Sequence, residues 1–263
     1  MRNTIRTLEK LKREGRPMTC LTAYDASFAR LLDAADIDAI LVGDSLGMVV
    51  QGHDTTLPVT IEHMVYHLEA VARGARRAML MADLPFLGDR DVATALEQGG
   101  ALMRAGAQMV KVECREEHTE LVRRMVACGI PVCAHLGLTP QAVHRFGGYR
   151  VQGRESAAAE RMQAQALELQ DAGAQCLLLE SVPEALASQI TRAARVPVIG
   201  IGASPDCDGQ VLVLQDVIGL TPSPPRFARD FMAGTGSLAG AVAAYAEAVR
   251  SRAFPVANVH TFG

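Results

Sequence analysis

Apolar and polar positions along the chain form two alternating patterns. Short apolar runs, most of them free of polar residues, are typical of parallel strands that are covered on both faces. Longer amphipathic stretches with helical spacing separate them, and one of these is predicted to start at the N-cap Thr60 and to end at Gly74. The eight runs are Met18–Ala23, Ala39–Val42, Ala78–Ala82, Met109–Val112, Pro131–Ala134, Cys176–Leu179, Pro197–Ile201 and Val211–Leu214.

Eight strand-sized runs that alternate with helical stretches predict an α/β protein with a parallel sheet. The number of strands favours a closed (β/α)8 TIM barrel, with an open doubly wound sheet as the alternative. The length of 263 residues suits one barrel domain that comprises residues 1–263. The helix predicted at about Thr4–Gly15 is expected to cap the bottom of the barrel or to form a subunit contact.

The composition excludes several classes of partner. The net charge of -3 provides no basic surface for nucleic acid or anionic lipid. The charged N-terminal segment lacks the apolar stretch of a signal peptide, and no apolar run approaches the roughly 20 residues that span a bilayer. The six cysteines form no CxxC pair, which indicates buried free thiols. We therefore expect a cytoplasmic protein without a nucleic-acid or membrane partner.

Charged and polar residues stand where five consecutive predicted strands end. In a parallel barrel these positions share the rim at the carboxyl ends of the strands, where active sites are built. Acids that crowd at one rim repel one another unless some are protonated or a cation lies among them. The residues are Asp44 and Ser45 after the second strand, Asp83 after the third, Glu113 after the fourth, His135 after the fifth and Glu180 after the sixth.

Three of these acids indicate a metal site. Asp44, Asp83 and Glu113 come from consecutive strands, which are expected to be neighbours in space. Three carboxylates without a nearby cysteine suit a hard cation with oxygen ligands, Mg²⁺ before Zn²⁺. The alternative is that each acid merely caps the helix that follows its strand.

Lys111 is unusual because only three of the 26 lysine and arginine residues are lysines, and the other two lie near the N-terminus. It stands two residues before Glu113 in one strand, so both side chains point to the same side. A cation at the rim suits the carboxylate of a substrate. A Schiff-base lysine and a lysine that extends between outer helices are the alternatives.

The histidines are weaker candidates for the functional site than the acids and Lys111. His135 is predicted to bond the substrate or to support the other site residues, with a purely structural role as the alternative. His63 and His67 are four residues apart but lack an HExxH pattern, and they are expected to face away from the rim.

Three features outside the strand ends are also predicted. The glycine-rich segment Gly147–Arg154 is expected to be a mobile loop after the fifth strand. Ser181 and Glu184 fit a capping box that opens a helix. The final helix is predicted at about Arg229–Arg250.

Several segments together resemble one family. They are Thr22–Asp25, Leu41–Met48, Gln51–Thr60, Ala82–Phe86, Val110–Glu113, His135–Gln141, Phe146–Tyr149 and Val151–Arg154. They are similar to ketopantoate hydroxymethyltransferases from about Met18 to Phe231, and the run Gly43 to Thr60 is highly specific. Ser204 stands where the family usually carries a glycine, and the segment Thr221–Pro225 also departs from the usual form.

The resemblance implies a barrel of the phosphoenolpyruvate/pyruvate type and a set of residue roles. It implies that Asp44, Asp83 and, through water, Glu113 bind Mg²⁺. Ser45 and Lys111 are then expected to hold the substrate, with Asp44 and Asp83 beside it. Glu180 is expected to be the acid/base residue, with a pKa raised by apolar neighbours. These neighbours are expected to be Leu179 and Val182.

The implied reaction is hydroxymethyl transfer from methylenetetrahydrofolate to 2-oxoisovalerate (3-methyl-2-oxobutanoate) through a Mg²⁺-stabilised enolate. The product is ketopantoate, for pantothenate biosynthesis. The family forms homo-oligomers, commonly decamers. The candidates for stacking on the pterin are Tyr24, Phe86, Phe146 and Tyr149, with a packing role as the alternative for each.

Three other functions stay open on the sequence. One is a related barrel lyase or mutase that acts on a different 2-oxo acid. Another is an aldolase that uses Lys111 as a Schiff base. The last is a barrel that serves only in binding or assembly, which the presence of the rim acids, lysine and serine disfavours.

Overall fold

The computed structural model describes residues 2–263, and its eight parallel strands close into a barrel in sequence order. The pairing of β1 with β8, which places Met18 opposite Gly209, completes the ring. All eight predicted strands are confirmed, although their ends differ by a few residues from the prediction. The strands are β1 Met18–Thr22, β2 Ala39–Val42, β3 Met79–Asp83, β4 Met109–Glu113, β5 Val132–Gly137, β6 Cys176–Glu180, β7 Val198–Ile201 and β8 Gly209–Leu212.

Helices surround this barrel and alternate with most of its strands. Their bounds are α1 Ile5–Arg13, α2 Ala26–Ala34, α3 Leu46–Val49, α4 Ile61–Gly74, α5 Val92–Ala105, α6 Thr119–Ala127, α7 Val143–Phe146, α8 Ser156–Asp171, α9 Glu184–Ala193, α10 Leu214–Val217 and α11 Leu238–Arg250. Short 3-10 helices lie at Glu116–His118 and Pro140–Ala142. The link from β7 to β8 departs from the repeat, because residues 202–208 join these strands without a helix.

The barrel interior is apolar below its carboxyl rim. Side chains at every second strand position point inward, and the inner cluster includes Met81, Met109 and Cys133. Leu8 and Leu11 of α1 belong to the same cluster. The ion pair of Lys12 with Asp208, at 2.6 Å, ties the helix to the loop before β8. The helix α1 therefore packs against the amino end of the barrel.

Of the two helix starts predicted from capping residues, one is confirmed and one is wrong. Thr60 accepts a hydrogen bond from the backbone N–H of His63, so the predicted N-cap of α4 is confirmed. The predicted capping box at Ser181 is wrong: Pro183 occupies the N-cap of α9, and Ser181 has a left-handed backbone with φ 48°. The N–H of Ser181 bonds to Ile201 O of β7 instead.

The predicted start of the final helix at Arg229 is also wrong. The helix α11 begins at Leu238, and the side chain of its N-cap Ser237 accepts from the N–H of Gly240. Gly234 and Gly236 adopt positive φ angles of 87° and 68°. These angles are incompatible with a continuous right-handed helix.

Candidate active site

The carboxyl ends of the strands surround a cavity of about 610 Å³. The predicted residues that line it are Asp44, Ser45, Asp83, Lys111, His135 and Glu180. Glu113, which is 6% exposed, lies beside this group but does not line the cavity. The fold therefore brings together all seven residues selected from the sequence.

Strand register explains why these side chains meet. Asp83 pairs with Lys111 across β3 and β4, and Glu113 pairs with His135 across β4 and β5. Met109, two residues before Lys111, belongs to the inner apolar cluster. Because alternate residues of a strand face the same side, Lys111 and Glu113 also point inward, as their spacing predicted. The charged layer thus rests on the apolar layers of the barrel.

Asp83 and Lys111 form a buried ion pair. Lys111 Nζ lies 2.9 Å from Asp83 Oδ1, and Asp83 Oδ2 accepts a hydrogen bond of 3.1 Å from the N–H of Asp44. Burial lowers the pKa of Lys111, but the carboxylates of Asp83, Glu113 and Asp44 outweigh it and hold the pKa well above its usual value. These carboxylates favour the charged form of Lys111, which disfavours the Schiff-base alternative because that chemistry needs a neutral amine.

Two neighbouring carboxylates are hard to ionise. Burial, followed by repulsion from Asp83, raises the pKa of Asp44 to about 7. Burial and the charge of Asp44 raise the pKa of Glu113 well above its usual range. With all three acids ionised, the cluster would carry more negative charge than Lys111 neutralises, so a further cation favours their ionised forms.

The same carboxylates fit a hard divalent cation by charge and donor type. Asp83 Oδ1 touches Lys111 but has no aligned hydrogen-bond donor, and the buried Glu113 Oε1 has no hydrogen-bond partner. Within residues 2–263, however, no three His, Cys, Asp or Glu side chains are grouped closely enough to enclose an ion directly. Direct ligation by all three acids therefore requires side-chain adjustment.

His135 lies between Lys111 and Glu180. Its Nδ1 is 3.5 Å from Lys111 Nζ, and its Nε2 is 3.3 Å from Glu180 Oε2, although the Nε2 contact is not aligned as a hydrogen bond. Burial, together with the charge of Lys111, lowers the pKa of His135 well below its usual value. The neutral imidazole separates the cation from the carboxylate of Glu180.

Glu180 has the electrostatic character of a proton-transfer group. Burial raises its pKa to about 8, against the opposing effect of Lys111. The raised pKa confirms the expectation, but the predicted cause needs correction. Leu179 packs in the outer cluster among the helices, whereas Leu178 and Ile201 line the cavity with Glu180.

Ser45 is held by a tyrosine. The hydroxyl groups of Tyr24 and Ser45 are 2.8 Å apart, and Tyr24 is only 4% exposed. The turn before Ser45 is closely packed. A side chain at Gly43 would place its Cβ only 2.9 Å from Ser45 Oγ, so this position has room for glycine alone. Tyr24 therefore positions Ser45 and has no free face for a pterin, while Tyr149 does line the cavity.

Several residues of the site have no strand-end signal in the sequence. Gln141, in the 3-10 helix after β5, bonds to Asp44 and Glu113. Phe262 lines the cavity from the C-terminal tail, which pairs with Pro183. Gln141 did fall within a segment of the family resemblance, but nothing in the sequence pattern indicated the position of Phe262.

The two departures from the family pattern have different locations. Ser204 is fully buried and its hydroxyl lies 2.8 Å from that of Ser188, away from the residues that line the cavity. Thr221, Ser223 and Pro225 line the cavity. The 221–225 segment therefore contributes to the shape of the site, and Ser204 does not.

No helix within residues 2–263 is both long enough and apolar enough to cross a membrane.

Comparison with protein families gives one match. Residues 2–257 match the model of the ketopantoate hydroxymethyltransferase family. A 3-methyl-2-oxobutanoate hydroxymethyltransferase from Halorhodospira halophila is 56% identical over 253 residues, which cover 96% of this chain and 92% of that protein. One of the same name from Marinobacter nauticus is 54% identical over 260 residues, which cover 98% of both chains.

Solved structures with this barrel are more distant in sequence. Phosphonopyruvate hydrolase in complex with oxalate and Mg²⁺ aligns with a TM-score of 0.63 at 15% identity, over 82% of this chain and 83% of that one. A 2,3-dimethylmalate lyase of the PEP mutase/isocitrate lyase superfamily aligns with a TM-score of 0.61 at 16% identity, over 80% of each chain. These likenesses agree with the predicted (β/α)8 barrel fold.

Proposed function

The chain belongs to the ketopantoate hydroxymethyltransferase family, and from this premise we propose that it transfers a hydroxymethyl group from methylenetetrahydrofolate to 2-oxoisovalerate. The C3–H bond of the 2-oxo acid breaks, and its electron pair forms an enolate. The enolate carbon and a water oxygen bond to the methylene carbon as both of its C–N bonds to the folate break. The folate nitrogens take up the proton from C3 and one proton from water, so that tetrahydrofolate leaves. The product is ketopantoate.

The observation that carries this proposal is the placement of a buried, ion-paired lysine and a weakly acidic carboxylate in one cavity. Lys111 and Glu180 lie on opposite sides of His135, at the ends of β4 and β6. A 2-oxo acid presents a carboxylate that suits Lys111 and an acidic C3–H that suits a carboxylate base. The cavity therefore matches both ends of such a substrate.

Most of the polar residues selected from the sequence receive a role in this proposal. Lys111 and Ser45 hold the substrate carboxylate and keto oxygen, with Asp44 and Asp83 beside them. Tyr24 keeps the Ser45 hydroxyl directed into the cavity. Glu180 takes the C3 proton, and its pKa of about 8 makes it a stronger base than an ordinary carboxylate.

The proposed cofactor is Mg²⁺, bound by Asp44, Asp83 and, through water, Glu113. A bound divalent cation polarises a keto oxygen and stabilises the negative charge of an enolate. The donor set supports this assignment, because it consists of carboxylate oxygens whose ionised forms would carry more negative charge than Lys111 balances.

The remaining expectations of the family are also part of the proposal. These are a place in pantothenate biosynthesis, a cytoplasmic location and assembly into a homo-oligomer of ten subunits. Closure of the Gly147–Arg154 loop excludes water from the reaction. Tyr149 and Val151 support this role of the loop, because both line the cavity.

A lyase or mutase that acts on another 2-oxo acid is the second candidate. It is favoured by the structural likeness to 2,3-dimethylmalate lyase and phosphonopyruvate hydrolase, but that likeness rests on 15–16% identity. Trials with a panel of 2-oxo acids and their condensation products separate the two functions.

Proton exchange at C3 of 2-oxoisovalerate tests the first step of the proposed reaction. In D₂O with Mg²⁺ and without folate, NMR is expected to show loss of the C3 proton signal. Excess EDTA is expected to stop the exchange. Exchange that persists in EDTA contradicts the cation requirement, and absence of exchange under both conditions contradicts the choice of substrate.

A further inference from the structure

Gln141 makes three hydrogen bonds at the edge of the charged cluster. Its side-chain Nε2 donates to Asp44 Oδ2 at 2.8 Å and to Leu84 O at 2.8 Å. Its backbone N–H donates to Glu113 Oε2 at 3.0 Å. Gln141, in the turn after β5, therefore joins groups at the carboxyl ends of β2, β3 and β4.

The hydrogen bonds of the cluster engage some of the carboxylate oxygens and not others. Asp44 Oδ2 and Glu113 Oε2 are occupied by Gln141, and Asp83 Oδ2 is occupied by the N–H of Asp44. Asp83 Oδ1 is paired with Lys111 Nζ at 2.9 Å, and Glu113 Oε1 has no hydrogen-bond donor. Asp44 and Glu113 thus each have one oxygen held by Gln141, and this bond sets the direction of the other oxygen.

Both hydrogens of the Gln141 amide are used, which fixes the orientation of the side chain. A carboxylate held by one hydrogen bond loses less rotational freedom when it binds an ion than a free carboxylate does. Partners of this kind orient metal ligands and raise the affinity of the site.

We propose that Gln141 is a positioning residue that orients Asp44 and Glu113 for a divalent cation and so sets the cation affinity. The proposal rests on the proposed function only in its choice of cation. Gln141 itself contacts neither substrate nor cation in this role.

The turn that carries Gln141 is expected to survive loss of the amide. Pro140 occupies the first turn of the 3-10 helix, and Ala142 N bonds to Thr139 O without help from the side chain. Gln141→Met keeps the volume and the backbone bond to Glu113 while it removes both side-chain donors. Gln141→Ala removes the side chain altogether and serves as the second variant.

The test is calorimetric titration of the full-length protein with Mg²⁺ and with Mn²⁺, in the absence of substrate. Both Gln141 variants are expected to bind the ions about 10- to 100-fold more weakly than the wild type. Gln189→Ala, on the exposed face of α9, is the matched control and is expected to bind like the wild type. Melting temperatures without cation should be similar for all four proteins if the loss is one of positioning.

The outcomes separate a failure of the proposed role of Gln141 from a failure of the proposed function. Cation affinity of Gln141→Met within twofold of the wild type overturns the positioning role, while C3 exchange by the wild type still supports the proposed function. Lack of cation binding by the wild type overturns both the cation assignment and the role of Gln141. Absence of C3 exchange together with weakened cation binding in the variants contradicts the proposed reaction but supports Gln141.

Discussion

Lys111 stands among buried carboxylates whose charges it only partly balances. Its ammonium contacts Asp83 directly, while Asp44 and Glu113 are destabilised as anions by burial and by one another. Removal of one partner from such a buried pair typically leaves an uncompensated charge at a high cost. The buried charges therefore cost stability, and the proposed binding of a cation and an anionic substrate accounts for their presence.

Glu180→Gln tests the role of Glu180 in proton transfer. The amide keeps the size of the side chain but accepts no proton, so kcat is expected to fall by about 10²- to 10⁴-fold. Binding of 2-oxoisovalerate, measured by calorimetry, should stay close to that of the wild type. Glu168→Gln, on the exposed face of α8, is the control. Unchanged turnover in Glu180→Gln refutes the assignment.

The connection between α2 and β3 depends on Asp33. Its carboxylate accepts hydrogen bonds from the backbone N–H groups of Arg76, Arg77 and Ala78, immediately before β3. Burial raises the pKa of Asp33, but these three bonds outweigh it and place the pKa below its usual value. The stabilisation by Asp33 is thus present above the unfolded pKa and is lost as the pH falls through the lower folded pKa.

Asp33→Ala is therefore expected to lower the free energy of unfolding by about 1–3 kcal/mol at neutral pH. The difference from the wild type should shrink below pH 3.8, the ordinary pKa of Asp33. Urea unfolding at several pH values measures it. Glu69→Ala, which removes an exposed pair with Arg73, is the control and should change stability by less than about 0.5 kcal/mol. A pH-independent difference for Asp33 contradicts this explanation.

The C-terminal tail forms part of the cavity wall through a few polar bonds. Thr261 Oγ1 donates to Glu184 Oε2 at 2.6 Å and accepts from Asn258 N at 2.8 Å. The guanidinium of Arg226 bonds to the carbonyls of Asn258 and Val259. These contacts place Phe262 against the cavity.

Thr261→Val removes both bonds of the hydroxyl while it keeps the shape of the side chain. Amide hydrogen exchange in residues 256–263 is expected to accelerate, because the tail loses its anchor on α9. KM for the 2-oxo acid should rise as Phe262 leaves the cavity wall. Mass spectrometry of exchanged peptides measures the first effect, with Ser251→Ala as the control. Unchanged exchange in the tail disproves the anchoring role.

The elements were predictable to different degrees, for physical reasons. Buried parallel strands leave an unbroken apolar run, so all eight strands were found, and strand alternation placed Lys111 beside Glu113. The contact of Gln141 with Asp44 joins residues 97 positions apart, and no local pattern encodes it. The tail and the start of α11 likewise depend on distant packing and on glycine conformations that apolar periodicity does not report.

At the scale of the whole molecule, closure of the barrel brings every selected residue to one rim. The pairing of β1 with β8 is the step that turns a row of strand ends into a ring. Since active sites of such barrels lie at this rim, the order of strands was sufficient to group the site. The sequence did not indicate which of these residues line the cavity. Only the structure shows that Glu113 lies beside the cavity without lining it.

Assembly into a decamer stays a prediction at this scale. Exposed apolar side chains such as Tyr66, Leu220 and Val259 provide surface that subunit contacts can bury. Analytical ultracentrifugation at micromolar concentration is expected to give ten times the chain mass of 28.1 kDa. A measured mass equal to that of a single chain contradicts the prediction.

The most direct test of the whole account is product formation. The protein is mixed with 2-oxoisovalerate, methylenetetrahydrofolate and Mg²⁺, and a parallel sample contains EDTA; both are analysed by mass spectrometry. We predict ketopantoate in the sample with Mg²⁺ and none in the sample with EDTA. Absence of ketopantoate in both samples, while the protein remains folded, contradicts hydroxymethyl transfer to this 2-oxo acid.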